Sequence, residues 1–447
     1  MSPDELLATV EDRGVRLVRF LWCGNDGTVR AKASSRHGLA GRLNAGIGLT
    51  VAMQAMNSLD HLQPVAGMGP VGEVRLVPDL ETFRVLPYAP HSGAVLTDHM
   101  RLDGTPAPVC QRSFLKRMER GLADRGLVLR AAFENEFSLA TVVDGAYVPI
   151  DSALCFSTIA MTAAQDYVDE LVAALDAQRI PLEQYYAELG HGQQEISTAH
   201  APALQAADEQ LLVRETIRAV ATGRGLVASL APKPWPENAG NGCHIHFSLW
   251  ENSTNRFYDR SRSDGLSDIA RAFIAGVLDH LPGLCALTAP SFNSYHRILP
   301  HYWAGAFRCW GYDNRESPVR IASPFRGAEE ASINAELKAA DASANPYLAL
   351  GGLIAAGLDG LERGLEPPEP VEVDPGTLPD DERAARGIDP MPATQAEALD
   401  ALAADGLLLG ALGEELAGSY MAVRRSEWEA YSAGDEAFEQ QGHFEKY

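Results

Sequence analysis

The stretch Gly240–Trp250 reads GNGCHIHFSLW, and from Cys243 onward it alternates strictly. Cys243, Ile245, Phe247 and Leu249 fall on one face of an extended chain, and His244, His246 and Ser248 fall on the other. The apolar face predicts a strand packed on a core. The polar face carries two imidazoles and a hydroxyl, which suits a metal and a polar ligand, although a surface strand would carry them too. The glycines ahead of the strand favour close approach of a ligand to the backbone.

Four further stretches have related chemistry. In FENEF, Phe133–Phe137, Glu134 and Glu136 share a strand face. Two adjacent carboxylates are costly to bury without a cation, and an exposed strand face is the alternative. ELGHGQQE sets Glu188 and Glu195 on either side of a glycine turn, and NAELK alternates Asn334, Glu336 and Lys338. Five carboxylates with the imidazole of His244 form a mostly oxygen donor set, which suits Mg²⁺ or Mn²⁺ better than Zn²⁺. Arg297, in NSYHRILP, and Arg315 and Arg320, in NRESPVRI, supply guanidinium forks for carboxylate or phosphate. Each arginine alone would read as part of a solvated face.

The whole chain narrows the field. Its 447 residues predict two or three domains, and 46% hydrophobic with 22% charged residues is an ordinary globular composition. A formal charge of -23 argues against nucleic acid or an anionic membrane surface as partner. Six scattered cysteines without a C-x-x-C pair predict reduced thiols and a cytoplasmic protein. The acidic N-terminus lacks the apolar core of a signal peptide. The longest apolar stretch, Tyr347–Leu358, is broken by glycines and too short to span a bilayer.

Along the chain, residues 4–13 read as a helix, and 15–33 as two strands joined at Asn25-Asp26-Gly27. EVRLVPDLETFRVLPY, 73–88, reads as another strand pair. These residues suggest a small α+β domain over 1–105, with GTPAP at 104–108 as a linker and a second domain over 106–447. In the second domain, helices are expected at 111–126, 162–179, 203–223 and within 394–433, a strand at 128–143, and a solvated excursion at 366–390. GMGPVG at 67–72 matches G-x-G-x-x-G but holds a proline and has no strand leading into it, so it is set aside. No P-loop lysine motif and no nucleophile elbow occur.

In order and spacing, these motifs resemble the glutamine synthetase family over nearly the whole chain: E-N-E, E-x6-E with an internal G-Q, G-x-G-x-H-x-H-x-S, N-S-Y-x-R, N-R-x4-R-I, then E-x-K and N-P-Y-L. The resemblance implies an α+β fold with an N-terminal β-grasp domain and a catalytic domain built on an antiparallel sheet with flanking helices. It implies ligation of glutamate's γ-carboxylate, activated as an acyl phosphate by ATP, to an amine. Two or more Mg²⁺ or Mn²⁺ ions and arginines would hold the anionic groups together. By position, Glu136, Glu188 and Glu195 resemble ligands of a metal facing glutamate. Glu134, His244 and Glu336 resemble ligands of a metal facing the ATP phosphates. His246 and Ser248 match nucleotide contacts, Arg297 and Gly240 match glutamate contacts, and Arg315 and Arg320 match phosphate contacts. Stacked rings with active sites between subunits are implied as well.

The departures point to the nucleophile. Ammonia-using members carry a glutamate six positions after the N-S-Y-x-R arginine, where this chain has Trp303. They also carry an aspartate near residue 50, where Gly48–Gln54 contains no acid. Such a site fits ammonium poorly and an amine with an apolar body better, the indole offering an apolar wall and cation–π contact. The pattern resembles the γ-glutamyl-amine ligase branch, with an aromatic or small alkyl amine preferred over a polyamine. An ammonia-dependent glutamine synthetase and a non-catalytic oligomeric member are the alternatives. Lys338 and Asn334 stand where nucleotide-site arginines are common, and Ala239 replaces an asparagine that often contacts glutamate.

Overall fold

The computed structural model describes residues 1–447. It is an α+β structure built on two sheets. Strands β1 (Leu17–Cys23), β2 (Val29–Ser35), β3 (Ile47–Thr50), β4 (Glu73–Pro78), β5 (Arg84–Val85) and β6 (Ser92–Met100) form the first, with spatial order β2-β1-β6-β4-β3 and β5 on β6. The stretch 73–88 is therefore not a hairpin: β4 and β5 each pair with β6, and β6 also runs parallel to β1. The Asn25-Asp26-Gly27 turn joins β1 to β2 as the composition indicates.

The second sheet holds β7 (Val128–Val143), β8 (Ala146–Pro149), β9 (Leu182–Ala187), β10 (Gln193–Thr198), β11 (Ala201–Pro202), β12 (Val227–Ser229), β13 (Cys243–Glu251), β14 (Thr254–Asn255), β15 (Trp310–Tyr312), β16 (Val319–Ala322) and β17 (Asn334–Leu337). Its main path runs β15-β16-β17-β13-β7-β10-β9. It is antiparallel except for the β15–β16 pair. Helices Gln111–Ala123, Ala203–Gly223, Asp268–Thr288 and Pro346–Arg363 cover its apolar face, where Phe133, Phe137, Ile245, Phe247 and Leu249 are buried. Helix Asp268–Thr288 has the length and hydropathy to cross a bilayer, a feature the sequence reading passed over. Most of that apolar window is buried inside the protein, where the helix packs along Pro346–Arg363, so it serves as a core helix. The excursion 366–390 is mostly irregular, with a 3-10 turn at Pro375–Thr377 and one short α-helix at Asp380–Ala385.

The two sheets are tied through the β1–β2 turn. Asn345 Nδ2 donates to the carbonyls of Cys23 and Gly24, at 3.1 and 3.0 Å. Arg214 Nη2 donates to Gly27 O at 2.7 Å, Gln111 Nε2 to Asn25 Oδ1 at 2.7 Å, and the Tyr447 hydroxyl to Asp26 O at 2.8 Å. Gly27 has φ +78, and a Cβ there would lie 2.0 Å from Ser343 O, so only glycine fits. All six cysteines are free.

Candidate active site

Strand register assembles the site. β7 sets Glu134 opposite His244 of β13, β13 sets His246 opposite Glu336 of β17, and β17 sets Glu336 opposite Arg320 of β16. On the other side, β10 sets Glu195 opposite Glu136, and β9 sets Tyr186 opposite Glu195. Directly paired residues share a face, so these side chains all project from the face opposite the helices.

Glu134, His244 and Glu336 each place a ligand atom within 4.8 Å of the other two. His244 Nδ1 lies 3.2 Å from both carboxylates. His244 Nε2 and Glu336 Oε2 are buried with no hydrogen-bond partner. An imidazole nitrogen held between two carboxylate oxygens, with all three ligand atoms close together, fits a divalent cation. Burial opposes charge on Glu134, yet hydrogen bonds from His244 and His246 hold its carboxyl well below the usual range. Burial also opposes charge on Glu336, but Lys338 and then His244 keep it low.

Glu136, Glu188 and Glu195 lie beside this trio without closing to the same spacing. Glu136 Oε2 accepts from Gly242 N at 2.8 Å and from Gln193 Nε2 at 3.2 Å. Glu188 turns back to accept from Leu189 N at 2.9 Å. Burial, with Glu134 and Glu136 adding to it, pushes Glu195 up to about 12, and burial with Glu136 raises Glu188. Crowded carboxylates repel each other's charge, and a cation between them would reverse that.

Arg297 is buried, and its Nη2 donates to Lys338 O at 3.2 Å and Ala340 O at 2.8 Å. Gly240 lies against its stem, where a Cβ would come within 2.9 Å of Arg297 Cγ. Arg297 Nε and Arg320 Nε lack a hydrogen-bond partner. Lys338 Nζ sits 3.3 Å from Glu336 Oε1, so its charge supports that buried carboxylate. His246 Nδ1 and Asn334 Oδ1 are 2.8 Å apart. Ser248 Oγ accepts from Trp250 Nε1 at 2.9 Å, with His200 stacked on that indole and the Arg130 guanidinium 5.1 Å from its centre.

Arg315 is exposed and makes no ion pair. Trp303 is 62% exposed on the segment that leaves the site after Arg297. Gly48–Gln54 runs from β3 into the 3-10 helix Val51–Ala55, where buried Gln54 bonds to His99 and Gln111. Beside Ala239, Asn238 Oδ1 accepts from His191 N at 2.9 Å and braces the glycine turn.

The motif reading passed over two residues. The Tyr186 hydroxyl bonds to Glu134 Oε1, 3.0 Å away, and to Glu195. Its alternation with Glu188 was the available signal. Glu316, between Arg315 and Arg320, accepts from two backbone N–H groups of the Trp303 segment, and nothing local in the sequence marks that role. A separate group, Asp279, His280 and Asp359, also has ligand spacing. There Arg363 already bridges Asp279 and Asp359, at 2.8 and 2.7 Å, and fills the cation's place.

The N-terminal domain model of glutamine synthetase matches residues 4–107, and the catalytic domain model matches residues 108–442. The chain is 38% identical to the gamma-glutamylpolyamine synthetase of Streptomyces coelicolor, over 93% of this chain and 90% of that protein. It is 29% identical to the glutamine synthetase of Clostridium saccharobutylicum, over 100% of this chain and 99% of the relative. A crystal structure described as a novel glutamine synthase homolog superposes with TM-score 0.87 at 33% identity, covering 97% of this chain and 99% of the other. With both domain models matched in order over almost its whole length, the chain belongs to the glutamine synthetase family, whose members are ATP-dependent ligases that use divalent metals, generally Mg²⁺ or Mn²⁺.

Proposed function

We propose that this chain joins the γ-carboxylate of glutamate to an organic amine, by way of a γ-glutamyl phosphate, releasing ADP and phosphate. The observation that carries the reading is Trp303, an exposed indole at the position where the family resemblance places the acid of ammonia-using members. An indole wall binds the body of an amine and leaves a bare ammonium ion without a counter-charge.

In this reading Glu134, His244 and Glu336 hold one divalent cation, and Glu136, Glu188 and Glu195 hold another. Bound there, the cations neutralise phosphate and carboxylate charge during phosphoryl transfer. Arg320 and Arg315 stabilise the transferring phosphoryl group, while Arg297 and the Gly240 backbone hold glutamate. His246, Ser248, Asn334 and Lys338 line the nucleotide side. Two domains, 1–105 and 106–447, and a homo-oligomer of stacked rings with sites between subunits complete the proposal. The exposed apolar side chains of Leu154, Phe156, Ile159 and Leu189, near the end of β9, support burial by another subunit.

A second reading keeps the chemistry and makes the amine a polyamine, which the similarity to the Streptomyces coelicolor protein favours. The test is phosphate release from ATP with glutamate, Mg²⁺ or Mn²⁺, and one of ammonia, methylamine, isopropylamine, ethanolamine, aniline or putrescine. Strong release with aniline or a small alkylamine supports the first reading, and putrescine alone supports the second. Ammonia exceeding every organic amine would reject both.

A further inference from the structure

The segment from Leu299 to Gly305 carries Trp303 in a conformation that needs to be held. His301 and Trp303 have φ of +68 and +55, the left-handed region that bulky side chains rarely adopt. Each such residue costs of order 1–3 kcal/mol and persists only where its surroundings impose it. The indole itself, 62% exposed, supplies little of the restraint.

The restraint comes from the other side of the loop. Glu316 is 7% exposed, and its carboxylate faces the segment's backbone. Oε2 accepts from His301 N at 3.2 Å, and Oε1 accepts from Trp303 N at 2.9 Å. Both left-handed residues thus give their N–H groups to one carboxylate, a charge-assisted pair of bonds. The acceptor is itself anchored. Glu316 N donates to Asn314 Oδ1 at 3.1 Å, and Asn314 Nδ2 donates to the carbonyls of Val371 and Val373, at 2.7 and 2.9 Å. His301 Nδ1 lies 2.7 Å from Asp374 Oδ2 in the same excursion. At the segment's end, Gly305 (φ +81) backs onto Pro318, where a Cβ would lie 2.5 Å from Pro318 Cα.

We infer that Glu316 is the positioning residue for Trp303: its carboxylate latches the Leu299–Gly305 loop and thereby sets which amines the site accepts. The inference rests on the reading of Trp303 as the amine wall. Glu316 lies between Arg315 and Arg320 in sequence, so one short stretch carries both the arginines proposed to contact phosphate and the latch. A shift of the loop away from this stretch would move the indole and leave the arginines in place. Glu316 then acts on amine selection and not on ATP or glutamate.

The test compares full-length Glu316→Ala, Glu316→Gln and Trp303→Ala with the parent, by backbone hydrogen exchange and by steady-state kinetics with the preferred amine. Glu316→Ala is expected to speed exchange at the amides of 301 and 303 about tenfold or more, with exchange in β7 and β13 unchanged. The KM for the amine is expected to rise about tenfold, as for loss of a charge-assisted bond, with KM for ATP and glutamate unchanged. Glu316→Gln, which keeps one acceptor oxygen, is expected to fall between Glu316→Ala and the parent. Because both changes act through one indole, the double variant with Trp303→Ala is expected to be no worse than Trp303→Ala alone. Unchanged exchange at 301 and 303, or additive losses in the double variant, would overturn the inference. Faster exchange with unchanged amine KM would overturn the part of Glu316 in selection. If Trp303→Ala is silent as well, the amine-wall reading itself falls.

Discussion

Arg320 Nε and Glu336 Oε2 lie 2.7 Å apart across the β16–β17 pair, yet neither atom makes a hydrogen bond. Their charges are close, while neither the N–H nor the lone pair is aligned with a hydrogen-bond partner. Glu336 Oε1 meanwhile faces Lys338 at 3.3 Å and His244 at 3.2 Å, with the residue 1% exposed. Glu336→Gln keeps the shape and removes the charge that two buried cations face. Stability is expected to fall by about 3 kcal/mol, as for other broken buried ion pairs. Thermal melting checks the fold, and phosphate release is expected to drop at least about a hundredfold as the metal loses a ligand.

Tyr186 joins a carboxylate of each proposed metal set. Tyr186→Phe removes the hydroxyl and keeps the ring, which packs edge-on to Phe156 at 5.4 Å. The fold should persist. Mn²⁺ affinity, read by electron paramagnetic resonance titration, is expected to fall about tenfold, as when a ligand loses its orienting bond. Unchanged affinity would show that the phenol is only packing.

A methyl group added at Gly242 would lie 2.6 Å from His244 Nε2 and 3.3 Å from Arg297 Nη1. Gly242→Ala should push the imidazole from its place between Glu134 and Glu336. Mn²⁺ binding and activity are expected to fall together, with little change in circular dichroism. The substitution acts on side chains, so the β-sheet itself has no reason to shift.

His280 provides a pH test away from the active site. Burial lowers its imidazole, but hydrogen bonds to Asp405 and Asp359, at 2.7 and 3.1 Å, carry it above 6.5. Asp279 and Arg363 complete its charged surroundings. A group raised on folding stabilises fully below its unfolded pKa and ceases to do so as pH climbs through the folded value. Burial raises Asp405, yet the His280 bond brings it below 3.8, so its share is lost on acidification. His280→Asn should therefore cost most near pH ~6 and progressively less towards pH ~9, with both proteins weakened at low pH. A melting-temperature difference that stayed constant with pH would contradict this.

Alternation made much of this legible. The parity of Glu134 with Glu136, and of His244 with His246 and Ser248, follows from the pleat alone, and the structure keeps it. What alternation cannot supply is which strand lies beside which. Placing Glu195 opposite Glu136 and Glu336 opposite Arg320 depends on pairings between segments separated by turns, helices and loops. The same limit explains the stretch 73–88, whose two strands meet β6 instead of each other. Glu316 was hidden for another reason: a carboxylate that serves backbone N–H groups across a loop leaves no spacing to read.

The β1–β2 turn has a consequence for any attempt to exchange parts between relatives. Asn25 and the carbonyls of Cys23, Gly24, Asp26 and Gly27 are satisfied by residues as distant as Asn345 and Tyr447. A chimera joined at the border of the two matched regions would keep each sheet but leave those buried groups facing strangers. Each unsatisfied group would cost about 1–3 kcal/mol. The working unit of recombination is therefore the N-terminal matched region together with the socket that receives its turn, even though part of that socket is encoded more than three hundred residues away.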